Sequence, residues 1–345
     1  MIAGGAGNII QNGGHWSSIG GGQTNTIWAG AQDASIGGGS FNTIGADSFY
    51  ATIAGGRLNN MGTNSVASTI GGGLINDIEA NSVFATIAGG WANNIGTTSY
   101  YATIGGGEAN MIGAGSMHAT IAGGQGNDIA TNSDFSTIGG GFLNSVATSA
   151  QFATIPGGQE NVASADYSFA AGHRAKADHQ GSFVWSDSYN FDFHSTVPNG
   201  FFARSVGGIK FVTGIDGSGN ETAGVRVVAG ASAWSTLSDR NAKKNIETVD
   251  CGSVLDKLAH VPVSHWNYKW EKDDGAPHIG PMAQDFKAAF YPGRDDKSIS
   301  TLEFDGVELA AIQGLNQKLE ETRAENVELK RRLTQLERAI SKLTE

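Results

Sequence analysis

Ten isoleucines stand 17 residues apart without a break: Ile2, Ile19, Ile36, Ile53, Ile70, Ile87, Ile104, Ile121, Ile138 and Ile155. Six residues after each sits an asparagine: Asn8, Asn25, Asn42, Asn59, Asn76, Asn93, Asn110, Asn127, Asn144 and Asn161. A period this short is too tight for a helical-hairpin repeat and fits a β-solenoid, with one coil per repeat stacked on the next. The first half of the chain is therefore expected to be a rod.

Within a coil, period-2 alternation puts positions 0, +2, +6 and +8 on one side of a straight strand. Position +8 reads Ile10, Ile27, Ile44, Met61, Ile78, Ile95, Ile112, Ile129, Val146 and Ala163. Two stacked apolar columns are thus expected to fill the interior. The Gly pair at +2 and +3, as in Gly55-Gly56 and Gly89-Gly90, supplies positive φ or close backbone approach at a bend. The Asn column is expected to bond the coils above and below and close the turn, rather than to bind a ligand. Position −3 carries Trp16, Tyr50, Phe84, Tyr101, His118, Phe135 and Phe152. These form either an exposed stripe for a receptor or glycan, or a stripe buried between chains of an oligomer. A thin coil that cannot hide both its faces favours the second. The repeats resemble the β-roll heads of trimeric autotransporter adhesins in architecture, although their length of 17 departs from that family's shorter repeat.

Charge narrows the partners. Residues 1–170 hold one basic side chain, Arg57, against nine acidic ones, so most of the net charge of −11 lies in the rod. Nucleic acid and anionic membrane both call for basic patches, so neither is an expected partner. Cys251 is the single cysteine and forms no intrachain disulfide. No apolar run approaches the roughly 20 residues of a membrane span, so no membrane insertion is expected in this segment. Met1 is already in register with the repeats and no capping element precedes it, which reads as a truncation point or the start of a fibre module.

After Ile155 the spacing breaks. Residues 168–177 (SFAAGHRAKA) and 181–187 (GSFVWSD) resemble the last adhesin-type coil and neck before the C-terminal domain of tail-fibre-like proteins. Asp216-Gly217-Ser218-Gly219-Asn220 reads as a turn between strands; a calcium loop would need an acidic residue where Val227 stands. His173, His179 and His194 read as neck or surface residues rather than metal ligands on a threefold axis. No metal and no cofactor is expected.

One stretch suggests covalent chemistry: Leu237-Ser238-Asp239-Arg240-Asn241-Ala242-Lys243-Lys244-Asn245-Ile246. A serine becomes a nucleophile when a nearby neutral lysine takes its proton. Lysine titrates near 10.4, so burial or crowding by positive charge must favour the neutral form; Arg240, Lys244 and assembly are the available sources. Ser238, Asp239, Arg240, Lys243 and Ile246 match the opening motif of the self-cleaving intramolecular chaperone of phage endosialidase tailspikes. Leu255, Trp266, Tyr268, residues 278–286 (HIGPMAQDF) and 305–315 (DGVELAAIQGL) follow the same family. The resemblance implies a trimeric, helix-rich module that templates the fibre before it and then cuts itself off in cis. Ser238 would be the nucleophile, Lys243 its general base, and the cut would fall at Ser238, on one side or the other. A chaperone that keeps these residues without cleaving is the alternative.

From Ile312 the apolar spacing is 3,4,3,4, with Ile312, Leu319, Asn326, Leu333 and Ile340 at a and Leu315, Thr322, Leu329, Leu336 and Leu343 at d. Asn326 at a leans towards dimers; the resemblance implies trimers.

The sequence thus predicts a mainly β chain: a trimeric β-solenoid (1–165), a β neck (166–235), an α-rich chaperone and autoprotease (236–311) and a coiled-coil helix (312–345). The expected function is a homotrimeric fibre or adhesin shaft, on a virion tail or bacterial surface, that contacts a host receptor or glycan. Two other readings remain. One is a tailspike-like depolymerase, for which the repeats show no recurring carboxylate pair. The other is an ice- or mineral-binding solenoid, for which the Thr52 to Thr154 column at −1 lacks a paired Thr column.

Overall fold

The structure, a computed structural model, describes residues 1–236, 238–272, 275–292 and 295–344. The chain divides into two compact units, Met1–Gly208 and Ile209–Glu345.

The first unit is a β-solenoid of about twelve turns. Each 17-residue coil contributes two strands of only two residues, such as Thr86–Ile87 and Asn94–Ile95. Equivalent strands stack in parallel one repeat apart, Ile87 beside Ile104 and Ile95 beside Ile112. The stacking builds two sheets of 13 and 12 strands. From Ile19 onward the isoleucines at 0 and the residues at +8 are buried in one continuous core. Each buried isoleucine contributes about 1.5–3 kcal/mol.

Because the strands are so short, period-2 alternation does not extend past them. The Gly at +2 sits at a corner and not in the core, as Gly89 does. The next glycine is the indispensable one: Gly90 has φ +95°, and a Cβ there would lie 2.2 Å from the Gly107 carbonyl oxygen of the following coil.

From Asn25 onward the asparagines at +6 are buried and fully employed. Asn110 Nδ2 donates to Asn93 Oδ1 (3.1 Å), to Gly106 O (2.9 Å) and to Gly124 O (2.9 Å). Its own Oδ1 accepts from the backbone N–H and the side-chain amide of Asn127. The column therefore rivets each coil to both neighbours.

Two further interior columns carry no apolar signature. Ser48, Ser65, Ser82, Ser99, Ser116 and Ser133, at +12, are fully buried. Ser82 Oγ donates to Gly96 O (2.8 Å) and accepts from the Ser99 N–H (3.3 Å). Small residues at −2, such as Ala85, Ala102 and Ala119, complete the lining.

Past Ile155 the stacking continues with coils of unequal length. Phe169 pairs with Phe183 and Phe183 with Phe201, while Ala170, Ala175, Ala177 and Val184 occupy the interior. Ion pairs now brace the outside, Arg174 to Glu160 (2.5 Å) and Asp192 (2.8 Å).

In the second unit, Gly208–Ile215, Glu221–Val228 and Ser235–Thr236 form a three-stranded sheet. Val263–Trp266 pairs antiparallel with His278–Pro281. The helix α1 (Cys251–Leu258) precedes this pair in the chain, and α2 (Ala283–Phe290) and α3 (Thr301–Thr344) follow it. Asp250 caps α1 by accepting from the Ser253 N–H. Fully buried Phe286 of α2 meets the rings of Phe290, Tyr291 and Phe304. Lys287 pairs with Glu303 across the α2–α3 contact. Gly314 of α3 lets α1 approach: a Cβ there would stand 2.3 Å from Cys251 O. α3 starts eleven residues before the first heptad position, because Phe304, Val307 and Ala311 dock on this small core.

Candidate self-cleavage site

Ser238 follows the strand Ser235–Thr236, which pairs antiparallel with Glu221–Val228, Ser235 beside Arg226 and Thr236 beside Val225. Asp239 then caps a single 3-10 turn, Arg240–Ala242, its Oδ1 accepting the Asn241 N–H at 2.9 Å. The turn closes at Lys243, whose backbone N–H donates to Arg240 O. Extended chain would separate residues 238 and 243 by roughly 16 Å. The turn instead brings Lys243 Nζ to 2.8 Å from Ser238 Oγ, as donor.

Ser238 and Asp239 also line a cleft of about 260 Å3 together with Lys210, Phe211, Glu221, Val225 and Arg226. Lys210 pairs with Glu221 there. Those three charged residues carry no motif; β pairing alone brings them to the serine. Arg240, Lys243 and Ile246 are exposed in the single chain, as is Ser238. Leu237 lies outside the described residues.

The other candidate positions are structural. The Asp216 carboxylate accepts from the Asn220 side-chain amide and from the Asn220 and Ser218 N–H groups, closing the turn, and these contacts hold its carboxyl below the usual range. The three neck histidines face different partners: His173 the Ser188 carbonyl, His179 the Ser195 hydroxyl and His194 the Asp178 carboxylate. Among the described residues no group of three or more His, Cys, Asp or Glu could hold a metal.

Two carboxyls of the rod are raised by burial, Asp77 and Asp128. They lie three coils apart, roughly 14 Å at strand spacing, beyond the reach of a glycosidase pair. Glu79, near Asp77, braces the next coil by accepting from Asn94 Nδ2 (3.4 Å) and the Thr97 N–H (3.2 Å).

Residues 238–293 match the family described as chaperone of endosialidase. No curated protein matches the chain significantly. With the 17-residue coils before it, this segment fits a tail-fibre-type protein: a fibre or tailspike carrying a C-terminal assembly chaperone. The family implies a trimeric assembly and a place on the phage tail fibre. No helix among the described residues is long and apolar enough to cross a membrane.

Proposed function

We propose that this chain is a homotrimeric fibre shaft whose C-terminal segment drives assembly and is then released by its own Ser238 and Lys243. The 2.8 Å contact between Lys243 Nζ and Ser238 Oγ, inside the segment similar to the chaperone family, carries the reading. Lys243, when neutral, takes the Ser238 hydroxyl proton as Oγ attacks the carbonyl carbon of residue 237. The C–N bond to Ser238 breaks, its nitrogen takes up the proton, and an ester joins residue 237 to Oγ. Water then opens the ester, leaving a carboxylate on residue 237 and a free amine on Ser238. A lysine is a base only when neutral, and burial favours that form. Both side chains are exposed in one chain, so assembly supplies the desolvation and times the cut.

The exposed a and d side chains of α3 support the trimeric half of the reading. Ile312, Leu315, Leu329, Leu333 and Leu336 are each more than half exposed, the pattern of a seam awaiting partner helices. Replacing Ser238 or Lys243 with alanine is expected to leave an assembled but uncut chain. Cleavage unchanged in both variants would remove the dyad from the account.

A further inference from the structure

The coils of the rod are interchangeable and the coils of the neck are not. Along the rod every coil shows its neighbours the same Ile and Asn columns. A coil that stacked on the next but one would keep those contacts and loop out 17 residues, whose closure costs little. Charge does not oppose that error in the rod. Among the described residues, all five ion pairs of the first unit lie between Glu160 and Arg204.

From Glu160 on, each coil differs from the next. Phe169 and its neighbour Phe183 are 14 residues apart, Phe183 and its neighbour Phe201 are 18. The Asn column stops here: Asn161 Oδ1 accepts from the Ala175 N–H (3.0 Å), and alanine cannot pass the bond on. Charges then stand one above another in three successive coils. Arg174 lies between Glu160 (2.5 Å) and Asp192 (2.8 Å), and Lys176 Nζ donates to Glu160 O (2.7 Å). Skipping the Arg174 coil would set Glu160 against Asp192, like against like. Skipping the Glu160 coil would leave Arg174 beside Leu143. The last strand is as particular: Arg204 donates to Asp187 Oδ1 (2.9 Å) and to the hydroxyl of buried Ser186 (2.5 Å). One coil earlier those two places belong to Gly172 and His173. Single ion pairs of this kind add little net stability. Their effect is to separate the right stacking from the wrong ones, as polar groups fix register in a coiled coil.

We propose that the neck from Glu160 to Arg204 is the register anchor of the solenoid, the stretch where each coil accepts one neighbour only. The uniform coils on its N-terminal side are laid down in order against it. The anchor orders coils within one chain, whether or not chains associate.

The test uses the full chain with Cys251→Ser, Thr137→Cys and Phe169→Cys. Positions 137 and 169 flank Thr154, roughly 9.6 Å apart at strand spacing and too far for a disulfide. They become neighbours only when the coil of Glu160 is skipped. Neutralising the series with Glu160→Gln, Arg174→Met and Asp192→Asn is expected to raise the intrachain 137–169 disulfide about fivefold or more, read by non-reducing peptide mapping. Thr86→Cys with Thr120→Cys, which flank Thr103 in the rod, should give the same yield with or without the neck charges. Inverting the charges with Glu160→Lys, Arg174→Glu, Lys176→Glu and Asp192→Lys should return the 137–169 yield to that of the parent, and this decides the matter where the neutral variant does not fold. An unchanged 137–169 yield in the neutral variant overturns the proposal, as does a rod pair that rises in step with it. An inverted variant that fails to fold, or that shows a raised 137–169 yield, overturns it too.

Discussion

At the scale of the residue, the coil is held by side chains whose work is invisible in composition. Asn110 makes bonds to the coil before it, to its own turn and to the coil after it. Asn110→Ala leaves buried backbone groups unpaired and is expected to cost about 2–4 kcal/mol in denaturant unfolding of the rod. Asp128 is the opposite case, a misfit. Its Oδ1 is buried without a partner and burial raises its pKa above 3.8. A raised carboxyl binds its proton more tightly folded than unfolded, so stability falls as pH climbs from 3.8 through the raised value. Asp128→Asn should therefore raise the thermal midpoint at pH 7 and lose most of that gain by pH 3.5, as followed by calorimetry. The isoleucine and asparagine columns were legible because each is one residue type at one spacing. The serine column at +12 was not, since serine reads as a surface residue until its hydroxyl is seen bonding coil to coil. Ser238 and Lys243 were legible only through their motif; the sequence could place neither Arg226 nor Lys210 beside the serine, because a β pairing does so.

At the scale of the element, period mattered more than propensity. Two-residue strands carry no alternation worth reading, and the solenoid was recognisable only from its 17-residue return. Where that return ends, its Ile and Asn signature ends too, yet stacking continues through Arg204 because alanines and Val184 fill the same interior. α3 shows the reverse. Its heptads fixed a helix from Ile312, but the stretch from Thr301 is helical because Phe304, Val307 and Ala311 pack onto α1 and α2, a tertiary cause that heptad spacing does not reveal. The tightest point of that packing is Gly314 against Cys251 O. Gly314→Ala forces α1 and α3 apart and is expected to cost about 3 kcal/mol, seen as destabilisation of the C-terminal unit in far-UV circular dichroism and limited proteolysis. Wild-type protease resistance in that variant would show that the two helices do not need this contact.

At the scale of the whole molecule, the repeat creates a folding problem. Each coil offers its neighbours the same columns, so pairing displaced by one repeat keeps almost every bond, and long-range β pairing is slow. In the proposed assembly, the C-terminal segment similar to the chaperone of endosialidase is where register between chains would be set before the coils pair. Charges placed in the α3 seam, Leu329→Asp with Leu333→Asp, should abolish assembly in analytical ultracentrifugation and leave the chain uncut. The central claim is that the assembled chain severs itself at Ser238, and denaturing mass spectrometry of the purified assembly measures it directly. Wild type should yield a C-terminal fragment beginning at Ser238, while Ser238→Ala and Lys243→Ala yield only the intact chain from assemblies of unchanged size. An intact wild-type chain in a fully assembled protein would contradict it.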